Sequence, residues 1–163
     1  MRAVIGQAAT LRGCIITSYA HVEHLLADIV IRCQALPEYA ALPKSYPHKL
    51  RTRIARVQQL LSLPGPLAQY KQQFECLLAE LGRFEEIRHF MAHGLLIARV
   101  RPNQWHELRY QMLGQAKGQR VEEGRMVTDL DQLSNAAREI AQWSQQAVTL
   151  LRDIYLRHDI EHR

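Results

Sequence analysis

Residues 84–96 read FEEIRHFMAHGLL, and the fold turns on where this stretch changes character. Up to His93 the apolar residues keep helical spacing. After Gly94 the period shortens, and LLIARVRPNQWHELRYQML, residues 95–113, alternates in the manner of β-strands around a polar turn at Pro102–Asn103. Gly94 is expected to end the helix as the left-handed residue common after helix C-termini.

Working outward, three more helices are expected. The stripe Val4, Ala8, Leu11, Ile15, Tyr19, Val22, Leu26, Ile29, Cys33 and Leu36 predicts one long helix that Pro37 ends. Ser45 is the expected cap of a second helix, with Pro47 in its first turn and Leu50, Ile54, Val57 and Leu61 on its core face. PGP at 64–66 is a turn, after which Leu67, Tyr70, Phe74, Leu77, Leu81, Phe84 and Met91 continue the helix that holds the opening stretch. RVEEGRMV can add a third strand, with QAKGQ as a loop before it. TDLD at 128–131 has capping-box spacing for a last helix on Leu130, Leu133, Ala137, Ile140, Ala147, Leu150 and Ile154, and the tail RHDIEHR is expected to fray. Together these predict an all-α protein: an antiparallel four-helix bundle with a small β-hairpin insertion, about residues 95–127, before the last helix, in a single domain over 1–163.

Composition fits that reading. Of 163 residues, 47% are hydrophobic and 23% charged, a folded rather than disordered balance. The formal charge of +5 is compatible with a polyanionic partner without requiring one. Cys14, Cys33 and Cys76 form no CxxC and are odd in number, which predicts reduced thiols and a cytoplasmic setting. Arg2, Gln7, Thr10 and Arg12 interrupt the apolar N-terminus, and no uninterrupted run reaches the roughly 18 residues of a membrane span, so no membrane partner is expected.

The opening stretch also carries the chemistry. Glu85, His89 and His93 follow one another at i, i+4, i+8 and share a helix stripe. Arg88 and His93 are five residues apart, about 140° around an ideal helix: a long guanidinium can swing towards the imidazole, but one helix alone does not make them a tight pair, and two copies across a symmetry axis could bring both sets into one cleft. Histidine can accept or donate a proton near neutral pH, and arginine presents a charged planar fork to phosphate. These residue types suit cleavage of RNA by its own 2′-hydroxyl. Two other readings use the same residues: a metal site of Glu85, His89 and His93, and a solvated helix face with an i, i+3 Glu–Arg pair. His21 and His24 are a further pair, more in keeping with hydrogen-bonded helix residues than with ligands.

RHFMAHG, Arg88 to Gly94, resembles the signature of the HEPN superfamily: an arginine, four to six residues, then a histidine, often with a polar residue directly after the arginine. Here four residues intervene and His89 fills the polar place, where Asn is commoner. The resemblance implies a HEPN-type helical bundle that dimerises with its motifs at a shared cleft. It further implies metal-independent endoribonuclease activity without a cofactor, in a toxin–antitoxin or defence setting with an antitoxin protein as possible partner. Arg88 and His93 would be the catalytic pair, His89 the polar accessory, and Glu85 an acid that orients the arginine. Some members are inactive and bind nucleotide, RNA or a partner protein instead. Arg51 and Arg53, with Lys49 and Arg56, on the second helix, and Arg99, Arg101 and Arg109 on the hairpin are expected to supply basic surface for RNA, with Trp105 and Tyr110 to stack on bases.

Overall fold

A computed structural model describes residues 1–101, 106–115 and 121–160. Four helices, α1 (Arg2–Cys33), α2 (Leu50–Ser62), α3 (Lys71–His93) and α4 (Leu130–His158), accompany three strands, β1 (Leu95–Val100), β2 (His106–Gln115) and β3 (Val121–Thr128). Short 3-10 turns at Pro37–Tyr39 and Ala68–Tyr70 precede α2 and α3. The chain divides into two compact units, Met1–Ser18 with Arg83–Ala141 and Tyr19–Gly82 with Gln142–Arg163, so α1, α3 and α4 each contribute a segment to both.

The first unit corrects the expected fold class. It is not an all-α bundle carrying a hairpin. The strands form an antiparallel sheet of order β1-β2-β3, and the architecture is mixed α/β. β2 is the central strand, pairing Leu96 with Tyr110 on one side and Tyr110 with Met126 on the other. Its alternation explains why the sheet belongs to the core: Leu108 and Tyr110 are both 0% exposed, whereas their neighbour Arg109 turns to the opposite face. On the inner face Gly124 of β3 lies beside the Phe90 ring of α3. Ile15, Phe84, Phe90, Met91, Leu133 and Ile140 complete this core. The turn at Pro102–Asn103 and most of QAKGQ lie outside the described residues.

The second unit packs the remaining helical segments around Tyr19, Leu26, Ile29, Leu60, Leu67 and Phe74, all nearly inaccessible. Three of its buried hydroxyl and indole groups pair with backbone. Tyr19 Oη donates to Leu81 O at 3.1 Å, Trp143 Nε1 to Leu77 O at 3.2 Å, and Tyr39 Oη accepts from the Leu67 N–H at 2.9 Å. Tyr155 Oη donates to Asp28 at 2.7 Å, and burial together with that carboxylate pushes the phenol well above its ordinary pKa. By length and composition α1 is able to cross a membrane, yet Ala8, Ile15, Val22, Leu26 and Ile29 on it are all 0% exposed within the fold.

Several local expectations also shift. α2 starts at Leu50, after Lys49, with no side-chain cap, and Ser45 instead accepts from Arg56 at 3.4 Å. α4 is capped by Asp129, whose Oδ1 accepts from the Gln132 N–H at 2.8 Å, one residue later than TDLD predicts. Its C-terminus is ordered through Ile160. Asp159 takes φ 50°, the Ile160 N–H reaches Tyr155 O at 3.1 Å, and Ile160 is 0% exposed. This is a Schellman-type ending, with Asp in the left-handed place glycine usually takes. The rest of that tail, residues 161–163, lies outside the described residues.

Gly94 ends α3 as expected, but not by a left-handed backbone. Its φ lies outside that range, and its N–H still donates to Phe90 O at 2.8 Å. What requires glycine is space: a Cβ there would sit 2.5 Å from Phe90 O and 3.1 Å from Tyr110 Cβ. Gly94→Ala is therefore expected to destabilise the protein by about 1–3 kcal/mol, the range for overpacking a filled site, measured as a lower urea midpoint.

Candidate functional site

The C-terminal turns of α3 carry the residues singled out above. Phe90 and Met91 turn into the core of the first unit and fix the helix in rotation. Glu85, Glu86, His89 and His93 are consequently exposed, while Arg88 is half-buried with its Nε closed off from solvent. The His89 and His93 rings stand edge to face with centroids 5.0 Å apart, as the i, i+4 stripe predicts. Glu85 shares that stripe, but among the described residues no three His, Cys, Asp or Glu side chains converge as a metal-binding group. The three-ligand set Glu85, His89 and His93 is thus not assembled.

Arg12 of α1 is the residue that sequence reasoning missed. Its Nη1 donates to Gly94 O at 3.2 Å and its Nη2 to Ala92 O at 3.3 Å. These are carbonyls of the α3 C-terminus, which has no further helical turn to satisfy them and which favours a cation. The only trace in the sequence is an arginine breaking an apolar run after Leu11. The helix end therefore has a guanidinium cap of its own, independent of His93. Tyr110 is fully buried beside it, its phenol raised in pKa by burial and drawn down in part by Arg12. Burial removes Tyr110 from the set of base-stacking candidates.

The basic residues separate into two groups. Arg53 is built into the second unit, donating to Pro47 O at 2.9 Å, Glu23 O at 3.0 Å and His48 O at 3.3 Å. Arg56 bonds Pro43 O and Ser45. Arg101 Nε donates to Glu107 at 2.8 Å, its Nη2 contacts the same oxygen, and Arg109 Nη2 holds the other oxygen at 3.0 Å. Glu107 is only 3% exposed, and these hydrogen bonds, Arg101's first, hold its carboxyl below the ordinary glutamate value. Arg51 and Arg99 are exposed. Trp105 lies outside the described residues. His21 and His24 are exposed in the second unit, and His21 Nδ1 lies 3.4 Å from Ser144 Oγ.

No protein-family model, curated protein or solved structure matches this chain.

Two substitutions test the architecture of this region. Arg12→Ala removes two charge-assisted bonds from carbonyls at the end of α3. It is expected to cost about 1.5 kcal/mol and to speed amide hydrogen exchange in the last turn of that helix relative to the rest of the first unit. Glu107 has a folded-state pKa below its unfolded one, so its stabilisation is present above the ordinary glutamate value and disappears as pH falls through the folded value. Glu107→Gln is accordingly expected to lower the urea midpoint at neutral pH. The gap to the parent protein should close in acid once Glu107 itself is protonated.

Proposed function

We propose that this chain is a metal-independent endoribonuclease of the HEPN kind, acting as a toxin or defence component, with Arg88 and His93 as its catalytic pair. The observation that carries the reading is the placement of the motif. His93 is exposed at the end of α3 where a substrate can reach it, and Arg88, five residues earlier, is half-buried and so restrained.

In this scheme an RNA phosphodiester lies over the helix end. A neutral His93 accepts the proton of the 2′-hydroxyl, whose oxygen attacks the adjacent phosphorus. The bond to the 5′-oxygen breaks, and that oxygen takes a proton from a protonated histidine. A second copy of the chain, with its own His93 facing the same cleft, supplies that donor. Arg88 stabilises the added negative charge of the phosphorane. The products are a 2′,3′-cyclic phosphate and a 5′-hydroxyl. His89, in ring contact with His93, orients it, and Glu85 lies on the same stripe. Of the expected basic surface, Arg51 and Arg99 are exposed.

Incubating purified protein with single-stranded RNA in EDTA tests this reading. Cleavage to cyclic-phosphate ends is expected, with a loss of at least about 100-fold in Arg88→Ala and in His93→Ala, the scale of a single acid–base or oxyanion contribution. Cleavage that stops in EDTA would overturn it. Protein that binds RNA or a partner without ever cutting would instead be a non-enzymatic module on the same motif.

A further inference from the structure

We propose that His89 and His93 form a two-imidazole binding site for a divalent transition ion of the zinc, nickel and copper class, able to bind and leave reversibly. Both histidines are exposed on the last turns of one helix, with their rings edge to face and centroids 5.0 Å apart. A metal held about 2.0–2.1 Å from one nitrogen of each ring, at a roughly tetrahedral angle, places two imidazole centroids ~5 Å apart. The observed separation matches that spacing, and turning the rings about their side-chain bonds aims one nitrogen of each at a common point. Histidines at i and i+4 on a helix share one ion in just this way.

The chemistry of the surroundings narrows the ion. Both donors are imidazole nitrogens, which suit zinc, nickel and copper(II) rather than magnesium or calcium, ions that require oxygen. Arg12 already occupies carbonyls of Ala92 and Gly94 at this helix end, and Arg88 adds a second cation to it. Simple electrostatic attraction therefore contributes little, and affinity comes from the two nitrogen bonds. With no third His, Cys, Asp or Glu donor gathered there among the described residues, water completes the coordination shell. That makes the site exchangeable rather than structural, since structural zinc sites use four protein ligands.

The consequence for activity rests on the ribonuclease reading. A metal bound to His93 takes up the lone pair that would accept the 2′-hydroxyl proton, so the ion acts as a brake on the reaction, not as its cofactor.

Titration calorimetry with zinc chloride, without RNA, tests the site. One saturable site per chain is expected, weakened by at least about 10–100-fold in His89→Ala and in His93→Ala, no less than the loss of an outer-shell partner causes. Binding should be unchanged in His24→Ala, which alters an exposed histidine of the second unit. Magnesium chloride should give no saturable heat. Circular dichroism confirms that the exposed-site variants remain folded. No saturable zinc uptake, or uptake that survives both alanine variants, overturns the proposal. RNA cleavage is followed separately, and zinc is expected to inhibit it at the concentration that fills the site. Protein that never cuts RNA would sink the ribonuclease reading and leave the titration to decide the metal site.

Discussion

The approach of Gly94 to Phe90 and Tyr110 is the constraint on which the first unit depends. The backbone leaves α3 with its N–H still bonded to Phe90 O, passes against Tyr110 where no side chain fits, and enters β1 at the next residue. Because β1 starts there, its register on β2 is set, and with it which residues of the sheet face inward. Arg12 secures the same junction from α1 by holding the carbonyls on either side of His93. A helix end, a sheet edge and a third element thus meet at one residue, and the orientation of Arg88, His89 and His93 follows from it.

The same packing decides what the ionisable groups near the helix end are able to do. Phe90 and Met91 face the core, so the residues on either side of them are divided by rotation alone: His89 and His93 outward, Arg88 partly in. The exposed imidazoles gain access to solvent, ligands and each other. The arginine gives up part of its freedom and its hydration, which restricts a guanidinium to few orientations and favours its use as a fixed positive fork.

Net charge proves a poor guide to where a polyanion would bind. The chain carries a formal +5, yet Arg12, Arg53, Arg56, Arg101 and Arg109 spend hydrogen bonds on carbonyls, a hydroxyl or a carboxylate of the chain itself. Glu107 shows the other side of this economy. It is buried on a sheet where a lone carboxylate would be costly, and two arginines satisfy it.

The sequence by itself determined the helices, because each buries a stripe at a period of three to four residues, long enough to be read without knowing its neighbours. It also marked the end of α3 and the Glu85, His89, His93 stripe, both properties of one helix. It offered RVEEGRMV as a third strand, which forms as β3, but did not reveal that the sheet helps build the core. RVEEGRMV alternates weakly, and its glycine makes sense only beside the Phe90 ring. Nor did it distinguish Arg53 from Arg51 or Arg101 from Arg99, identical residues two positions apart. Only tertiary structure made that distinction, because an arginine's role depends on which carbonyl or carboxylate arrives within about 3 Å of it. Arg12 is the extreme case, since its partners lie some eighty residues along the chain and no local pattern could announce them.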